Sequence, residues 1–256
     1  MASPAAAVEV GAAEAAAAGN GGAAVDDLQH LPPARLPLAL AELHRRLPVG
    51  GRLALALAGD AALMADLVRG AGFDVDHVSV TENAVKLEAV RQRTLPDVVG
   101  PRMRVLVCGL NPSLYAADAG VGYARPGNRF WPAALAAGLV SVDRDPWHAL
   151  RHHGVGFTDL VKRATVGAAE LTPAEFRAGV ERLGRLCARL GPKVVACCGL
   201  SGWRAAVDPR AGVGWHERRL GGAAVYVLPN PSGRNTHTSL AELTAHLSKL
   251  AAAVAP

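Results

Sequence analysis

The chain has 256 residues, half of them hydrophobic, and carries a formal net charge of +5. This length allows one large hydrophobic core and a second small unit, and the modest basic excess suits a polyanionic partner without requiring one. No apolar run reaches the roughly 18 residues of a membrane span. The four cysteines form no CxxC pair of the kind found in zinc and iron–sulfur sites, and the N-terminus lacks the basic region of a secretory signal. We therefore expect a cytoplasmic protein, associated with the nucleoid if it is bacterial, whose cysteines are buried as small hydrophobic residues.

The first part of the chain contains two compositionally different segments. Residues 1–30 are mostly Ala and Gly, which predicts a disordered tail. Within residues 34–95, hydrophobic periodicity predicts helices over 38–47 and 61–70 and strands over 52–58, 73–80 and 84–92. This order resembles the C-terminal half of a class I methyltransferase. The half that would hold the glycine-rich cofactor loop is missing, so we expect a non-catalytic segment, with an S-adenosylmethionine-dependent enzyme as an alternative.

The second part of the chain, residues 96–256, alternates strands and helices. Pro96 and Pro101 predict a linker over 94–104. Buried strands are predicted over 105–108, 193–198 and 223–228, and helices within 126–138 and over 174–190, 201–207 and 238–254. Such alternation predicts a three-layer α/β/α sandwich with a mostly parallel central sheet, preceded by the small N-terminal α/β segment.

Two loops of unusual composition directly follow predicted strands. The first is Gly109-Leu110-Asn111-Pro112-Ser113, and the second is Pro229-Asn230-Pro231-Ser232-Gly233. Ligands of open α/β sheets bind at the carboxyl ends of the strands, which makes both loops candidates for a site. All of these residue types except Leu also favour plain turns, so either loop alone is better explained as a turn, and only the two loops together favour a site.

A third feature is the glycine-rich stretch that runs from Gly120 to Trp131 and contains Tyr123. Glycine lets the backbone approach a ligand closely, and an aromatic ring beside it can stack on a base. The alternative is that the aromatic residues are core residues, which we expect for Phe130 and Trp131.

Four segments together resemble the mismatch-specific uracil-DNA glycosylases, the group that includes thymine-DNA glycosylase. They are VLVCGLNPS, GYARPGNRFW, GFTDLVKRATVGAAELT and LPNPSG, and the resemblance runs from about Arg104 to about Leu250. It implies a uracil-DNA glycosylase-like fold and hydrolytic excision of a flipped-out uracil, thymine or ethenocytosine from mismatched duplex DNA. It also implies a monomer that needs no cofactor and no metal and does not bind membranes.

The resemblance assigns roles within the first loop and its neighbours. Asn111 matches the asparagine that positions the attacking water, and Tyr123 matches the aromatic residue that stacks on the flipped base. Backbone N–H groups near Leu110, Ser113 and Tyr123 are candidates to stabilise the departing base. Asp159 matches a position occupied by an amide in relatives and is expected to read the base edge, with a helix N-cap as the alternative.

The second loop departs most from the pattern. Asn230 stands where other uracil glycosylases have histidine, and could donate to a base oxygen or a phosphate or brace the loop. The segment containing Gly233, Arg234, Asn235 and His237 is expected to be the wedge that enters the duplex, although Arg234 replaces an apolar residue there. Ser113 also replaces a common glycine and is expected to narrow the pocket. These departures leave a catalytically impaired mismatch-binding module as a second hypothesis.

Basic residues outside the loops are candidates for contacts with DNA phosphates, although exposed Arg and Lys are more often simply solvated. They are Arg125, Arg129, Lys162 and Arg163.

Overall fold

The computed structural model describes residue 28 and residues 30–255. The predicted disordered tail therefore lies almost wholly outside the described residues, and at its end Leu28 is buried. The N-terminal part contains helix α1 (Leu36–Arg46), strand β1 (Arg52–Leu57), helix α2 (Ala61–Gly70) and strands β2 (Phe73–Val80) and β3 (Val85–Arg91). All five elements lie where the hydrophobic periodicity predicts them.

The N-terminal strands form a three-stranded sheet in the order β1-β3-β2, in which both outer strands are antiparallel to β3. Strands β1 and β3 alternate buried and exposed residues because only one face of the sheet is covered. Helix α2 begins at Asp60, whose carboxylate accepts a hydrogen bond from the Leu63 N–H at 2.9 Å.

The second part contains five strands and six helices within the described residues. The strands are β4 (Val105–Gly109), β5 (Val155–Asp159), β6 (Val194–Cys198), β7 (Gly214–Leu220) and β8 (Ala223–Leu228). The helices are α3 (Leu114–Ala119), α4 (Phe130–Ala136), α5 (Pro146–His153), α6 (Pro173–Leu190), α7 (Leu200–Ala206) and α8 (Leu240–Ala253). Strands β5 and β7 and helices α3 and α5 were not predicted.

The strand order β5-β4-β6-β8-β7 is parallel except for the antiparallel edge strand β7. Strands β4 and β6 are buried at every residue, as expected where helices cover both faces of a parallel sheet. Helix α4 packs on α8, and α6 packs on α7. The prediction of a three-layer sandwich with a mostly parallel sheet is confirmed.

Capping residues fix where the two longest helices begin. Helix α6 starts with a capping box in which Thr172 and Glu175 bond each other's backbone N–H, and Ser239 and Glu242 do the same for α8. The predicted start at Thr172-Pro173 is confirmed. Because these helices flank the sheet, their fixed N-termini determine where the preceding loops end at the carboxyl edge of the sheet.

The segment over 94–104 is not the linker that its prolines suggest. Leu95, Asp97 and Val98 are buried, and Val98 pairs with Phe157 of β5 by two backbone hydrogen bonds of 2.9 Å. The buried hydrophobic residues of both parts of the chain also form one continuous core. The N-terminal part is therefore packed against the sandwich rather than tethered to it.

All four cysteines are free and buried, as predicted. Across residue 28 and residues 30–255, no helix combines the length and the hydrophobicity needed to cross a membrane. In the same part of the chain, no three His, Cys, Asp or Glu side chains cluster as metal ligands would.

Candidate functional site

A cavity of about 270 Å³ lies at the carboxyl ends of the parallel strands. The loop after β4, the loop after β8 and the glycine-rich stretch all line it, so three segments far apart in sequence meet there. Of the residues singled out in the sequence, the cavity walls contain Leu110, Asn111, Ser113, Tyr123, Asp159, Asn230 and Arg234. Gly233, Asn235 and His237 lie outside this lining.

The amide of Asn111 is held in one orientation by three acceptors. Its Nδ2 donates to the carbonyl oxygen of Arg163 at 2.9 Å, to the carbonyl oxygen of Pro112 at 3.1 Å and to Thr165 Oγ1 at 2.7 Å. Carbonyl oxygens only accept hydrogen bonds, so the nitrogen must face them. Within the described residues nothing donates to Oδ1, which is left to accept a hydrogen bond from a molecule in the cavity.

Thr165 accepts a hydrogen bond from Asn111 because its own hydroxyl proton is donated to another group. The Thr165 hydroxyl donates to the carbonyl oxygen of Gly167 at 2.9 Å, so a lone pair of Oγ1 faces Asn111 Nδ2. The Thr165 side chain is buried, and its backbone N–H donates to the carbonyl oxygen of Pro112. Asn111 is therefore positioned by a second loop as well as by its own.

The Ser113 side chain lines the cavity and also caps the helix that follows the first loop. Its Oγ accepts a hydrogen bond from the Ala116 N–H at 3.1 Å and caps α3. The replacement of glycine therefore stabilises the helix that follows the first loop. Leu110 packs against the start of α7, where a side chain at Gly199 or Gly202 would collide with it.

Tyr123 adopts a left-handed backbone conformation with φ of 59° and stacks on Phe130 at a centroid distance of 4.4 Å. Phe130 and Trp131 are core residues, as expected. Among the described residues the buried Tyr123 hydroxyl has no hydrogen-bond partner, and burial raises its pKa well above the usual value. The ring thus forms a rigid wall of the cavity, backed by the core.

Asp159 is the last residue of β5, and no helix begins there, so the alternative of a helix N-cap is wrong. Its carboxylate lies over Gly109, where a Cβ atom would come within 2.3 Å of Oδ1. Burial raises the pKa of Asp159 to about 6, while Lys162 and Arg182 favour ionisation and Asp97 opposes it. The cavity therefore contains a carboxyl group that titrates close to neutral pH.

Asp97 is the centre of a buried ionic network beside this carboxyl group. Its Oδ1 accepts hydrogen bonds from Lys162 Nζ at 2.7 Å and Thr158 Oγ1 at 2.6 Å, and its Oδ2 accepts one from Arg182 Nη1 at 2.7 Å. Burial opposes ionisation most strongly, but Arg182 and Lys162 together keep the pKa of Asp97 below its ordinary value. Lys162 is thus a structural ion-pair partner, and its assignment as a phosphate contact is wrong.

The second loop is braced by Arg129 rather than left free. The Arg129 guanidinium donates to the carbonyl oxygens of Ser232 at 2.8 Å and Asn235 at 2.5 Å, and to that of Thr238. These bonds engage Arg129 in holding the loop, which corrects its assignment as a phosphate contact. The backbones of Gly233 and Gly127 meet so closely that a Cβ atom at Gly233 would lie 2.6 Å from the Gly127 carbonyl oxygen.

Within this loop the polar side chains divide into bracing groups and free groups. Asn235 donates to the carbonyl oxygen of Asn230 at 2.8 Å and accepts from the His237 N–H at 3.1 Å, so its side chain is used internally. Asn230 Oδ1 accepts from the Ser232 N–H at 3.0 Å, which leaves its Nδ2 free of partners among the described residues. Arg234 and His237 are exposed.

The remaining two basic candidates differ in their surroundings. Arg163 makes an ion pair with Glu175 through two hydrogen bonds of 2.8 and 3.1 Å, but its side chain is 50% exposed, so it stays a candidate for a phosphate contact. Arg125 is exposed at the cavity mouth and has no ion-pair partner among the described residues.

Sequence reasoning missed several residues that line the cavity, among them Arg45, Leu95, Thr165 and Cys198. The position of Cys198 at the end of β6, beside two strands whose ends carry polar loops, could have indicated it. Burial raises the pKa of this thiol to about 12. Arg45 and Leu95 belong to the part of the chain that we expected to be an appendage, and no local signal pointed to them.

Comparison with known proteins shows which family the chain resembles. The family model "Uracil DNA glycosylase superfamily" matches residues 96–254, which is more than half of the chain. A solution NMR structure of "a putative Uracil DNA glycosylase" from Methanosarcina acetivorans is 22% identical and covers 62% of this chain and 97% of its own, with a TM-score of 0.43. The match of the family model shows that the chain belongs to the uracil DNA glycosylase superfamily.

Proposed function

We propose that this protein is a mismatch-specific uracil-DNA glycosylase that hydrolyses the N-glycosyl bond of a flipped-out uracil in duplex DNA. Membership of the superfamily supports a DNA glycosylase activity. The finer assignment rests on residues that resemble the mismatch-specific and thymine-DNA glycosylase group. We further propose that the protein acts as a monomer.

The observation that carries the proposal is the fixed amide of Asn111. Its nitrogen is occupied by three acceptors, and its free Oδ1 lies in the wall of a cavity at the strand ends. An oxygen held in this way accepts a hydrogen bond from one water molecule and orients it for attack on the sugar. An amide cannot take the proton as a carboxylate would, so general-base assistance is weak and the enzyme is slow.

Departure of the base requires stabilisation of negative charge on its oxygens. The free Nδ2 of Asn230 is a donor at the opposite side of the cavity, and backbone N–H groups of the first loop add fixed dipoles. Ionised Asp159 accepts a hydrogen bond from uracil N3–H, whereas its protonated form also donates one to a base oxygen. Base reading at Asp159 is therefore linked to its protonation.

The preference for mismatches follows from the cost of opening the duplex. Flipping a base costs a few kcal/mol and less for a wobble pair than for a normal pair. A cavity of about 270 Å³ admits one base, so the nucleotide must leave the stack completely before it reacts. A slow chemical step then favours bases that are already poorly paired.

The test is release of free uracil from duplex DNA containing a G·U pair, measured in single turnovers. The wild type should release uracil and leave an abasic site, and Asn111→Ala should lose about a hundred-fold or more because the oriented water is lost. Gln92→Ala is a matched control, since it removes an exposed amide outside the cavity and should leave the rate unchanged.

Two outcomes contradict the proposal. No uracil release by the wild type, with tight binding to G·U duplexes that Asn111→Ala does not alter, indicates the catalytically impaired binding module instead. Equal rates for Asn111→Ala and the wild type show that the water is held elsewhere.

A further inference from the structure

Helix α1 of the N-terminal part reaches the cavity that contains Asn111. Arg45, in the last turn of α1, belongs to the lining of this cavity together with Trp147 and Pro146 at the start of α5. The family model begins at residue 96, so Arg45 lies outside the segment that it matches. The N-terminal part therefore supplies a charged group to a site that the family segment otherwise builds.

Arg45 is held at the cavity by Trp147 and remains accessible. Its guanidinium carbon lies 5.8 Å from the centre of the Trp147 ring, and Arg151 lies 5.9 Å from the same ring. The Arg45 side chain is 58% exposed, and Glu42, with which it forms an ion pair at 3.0 Å, is 39% exposed. Such an exposed pair contributes little and can be exchanged for a stronger anion.

Hydrogen bonds and ion pairs within the N-terminal part and between the two parts of the chain keep α1 in this place. Within the N-terminal part, Arg91 Nε of β3 donates to the carbonyl oxygen of His44 at 2.7 Å. Between the two parts, the Asp97 N–H donates to the carbonyl oxygen of Gly70 at 2.9 Å. Arg185 of α6 pairs with Asp66 of α2 at 2.5 Å. Arg45 therefore lies on a helix whose position is fixed by contacts with the rest of the protein.

The mouth of the cavity carries three exposed arginines from three different segments. Arg45 comes from α1, Arg125 from the glycine-rich stretch and Arg234 from the second loop. A base that enters the cavity leaves its sugar and the flanking phosphates at the mouth. Guanidinium groups at this place match the charge and the paired oxygens of phosphates.

We propose that Arg45 binds a backbone phosphate next to the flipped nucleotide, so that the N-terminal part completes the DNA-binding surface. This inference rests on the proposed function, because it takes DNA as the ligand. Arg45 is a binding residue in this role and takes no part in breaking the bond.

The chain offers a closely matched control in Arg46. Arg46 is the next residue of α1, is 44% exposed and pairs with the same Glu42, but does not line the cavity. Binding of full-length Arg45→Ala, Arg46→Ala and wild-type protein to a duplex with an abasic-site analogue opposite guanine should be measured at several salt concentrations. Arg45→Ala should weaken binding about ten-fold and lower the slope of log K against log salt by about 1, and Arg46→Ala should change neither.

A conservative variant separates phosphate binding from support of Trp147. Arg45→Lys keeps the charge and should retain most of the salt slope. If Arg45 acted only by stacking its planar guanidinium on Trp147, Arg45→Lys would lower the slope as much as Arg45→Ala does. Thermal melting confirms that each variant is folded.

Equal salt slopes for Arg45→Ala, Arg46→Ala and the wild type overturn this inference while leaving the glycosylase proposal intact if uracil is released. Failure of Arg45→Lys to restore the slope also overturns it. A wild type that neither binds duplex DNA nor releases uracil overturns both proposals.

Discussion

Replacement of Asp159 by Asn should make the protein more stable at neutral pH. Burial raises the pKa of Asp159 to about 6 from its ordinary value of 3.8, so the folded state holds this proton more tightly than the unfolded state. Protonation of Asp159 therefore stabilises the folded state. This stabilisation is fully present below the pKa of Asp159 in the unfolded state and is lost as the pH rises through its pKa in the folded state. An amide of the same shape carries no charge and avoids this loss.

The expected magnitude follows from the size of the shift. A difference of about two pKa units corresponds to about 3 kcal/mol between the two protonation states. The Asp159 side chain lines a cavity and is only partly buried, so water screens part of this effect. We expect Asp159→Asn to raise the free energy of unfolding by about 1–2 kcal/mol at pH values well above 6 and to have almost no effect near pH 4.

Asp97→Asn is the matched contrast, because it makes the same chemical change in the adjacent network. Arg182 would keep its buried charge without its carboxylate partner, so this variant should lose about 3–5 kcal/mol. Urea denaturation of both variants at neutral and acidic pH measures the two effects. Destabilisation by Asp159→Asn at neutral pH, or a stabilisation that does not fade as the pH falls, would refute the reasoning.

Three further changes probe the loops around the cavity. Thr165→Val should lower single-turnover uracil release about five- to ten-fold by releasing Asn111, with little change in DNA binding, and Thr165→Ser should restore the rate. Gly233→Ala should weaken binding to abasic-site DNA at least ten-fold because the added Cβ atom would collide with a neighbouring loop. The control is Gly212→Ala, whose Cβ atom would meet nothing within 4 Å and which should bind normally in the same titration. Arg129→Lys should lower the urea midpoint by an amount equivalent to about 1–3 kcal/mol in the free energy of unfolding, because one ammonium group cannot replace the hydrogen bonds of a guanidinium to three carbonyl oxygens. An unchanged midpoint would show that these hydrogen bonds are not needed for stability.

The fold was predictable where hydrophobic patterns are long or strongly biased. The buried strands β4, β6 and β8 and the capped helix α6 follow directly from apolar runs and from Thr172-Pro173. Edge strand β7 was missed because it contains three exposed charged residues in a row. Strand β5 was missed because it is only five residues long and contains a glycine, so its sequence has no long apolar run.

The cavity was predictable in its two loops but not in its supports. Asn111 and Asn230 stand directly after strands, so topology brings them together. Thr165 acts through a hydrogen bond that joins residues 54 positions apart, and no periodicity reveals such a contact. Lys162 resembles a surface cation in sequence, and only its buried carboxylate partner Asp97 shows that it is structural.

The contact between Gly70 and Asp97 links the N-terminal part of the chain to the acidity of the cavity. A side chain at Gly70 would lie 2.5 Å from an Asp97 oxygen, and the charge of Asp97 is one cause of the raised pKa of Asp159. A substitution at Gly70 in helix α2 would therefore shift the pKa of Asp159, although Gly70 lies outside the cavity lining. The two parts of the chain thus constrain each other electrostatically, and neither can change at this contact without altering the proton affinity of the cavity.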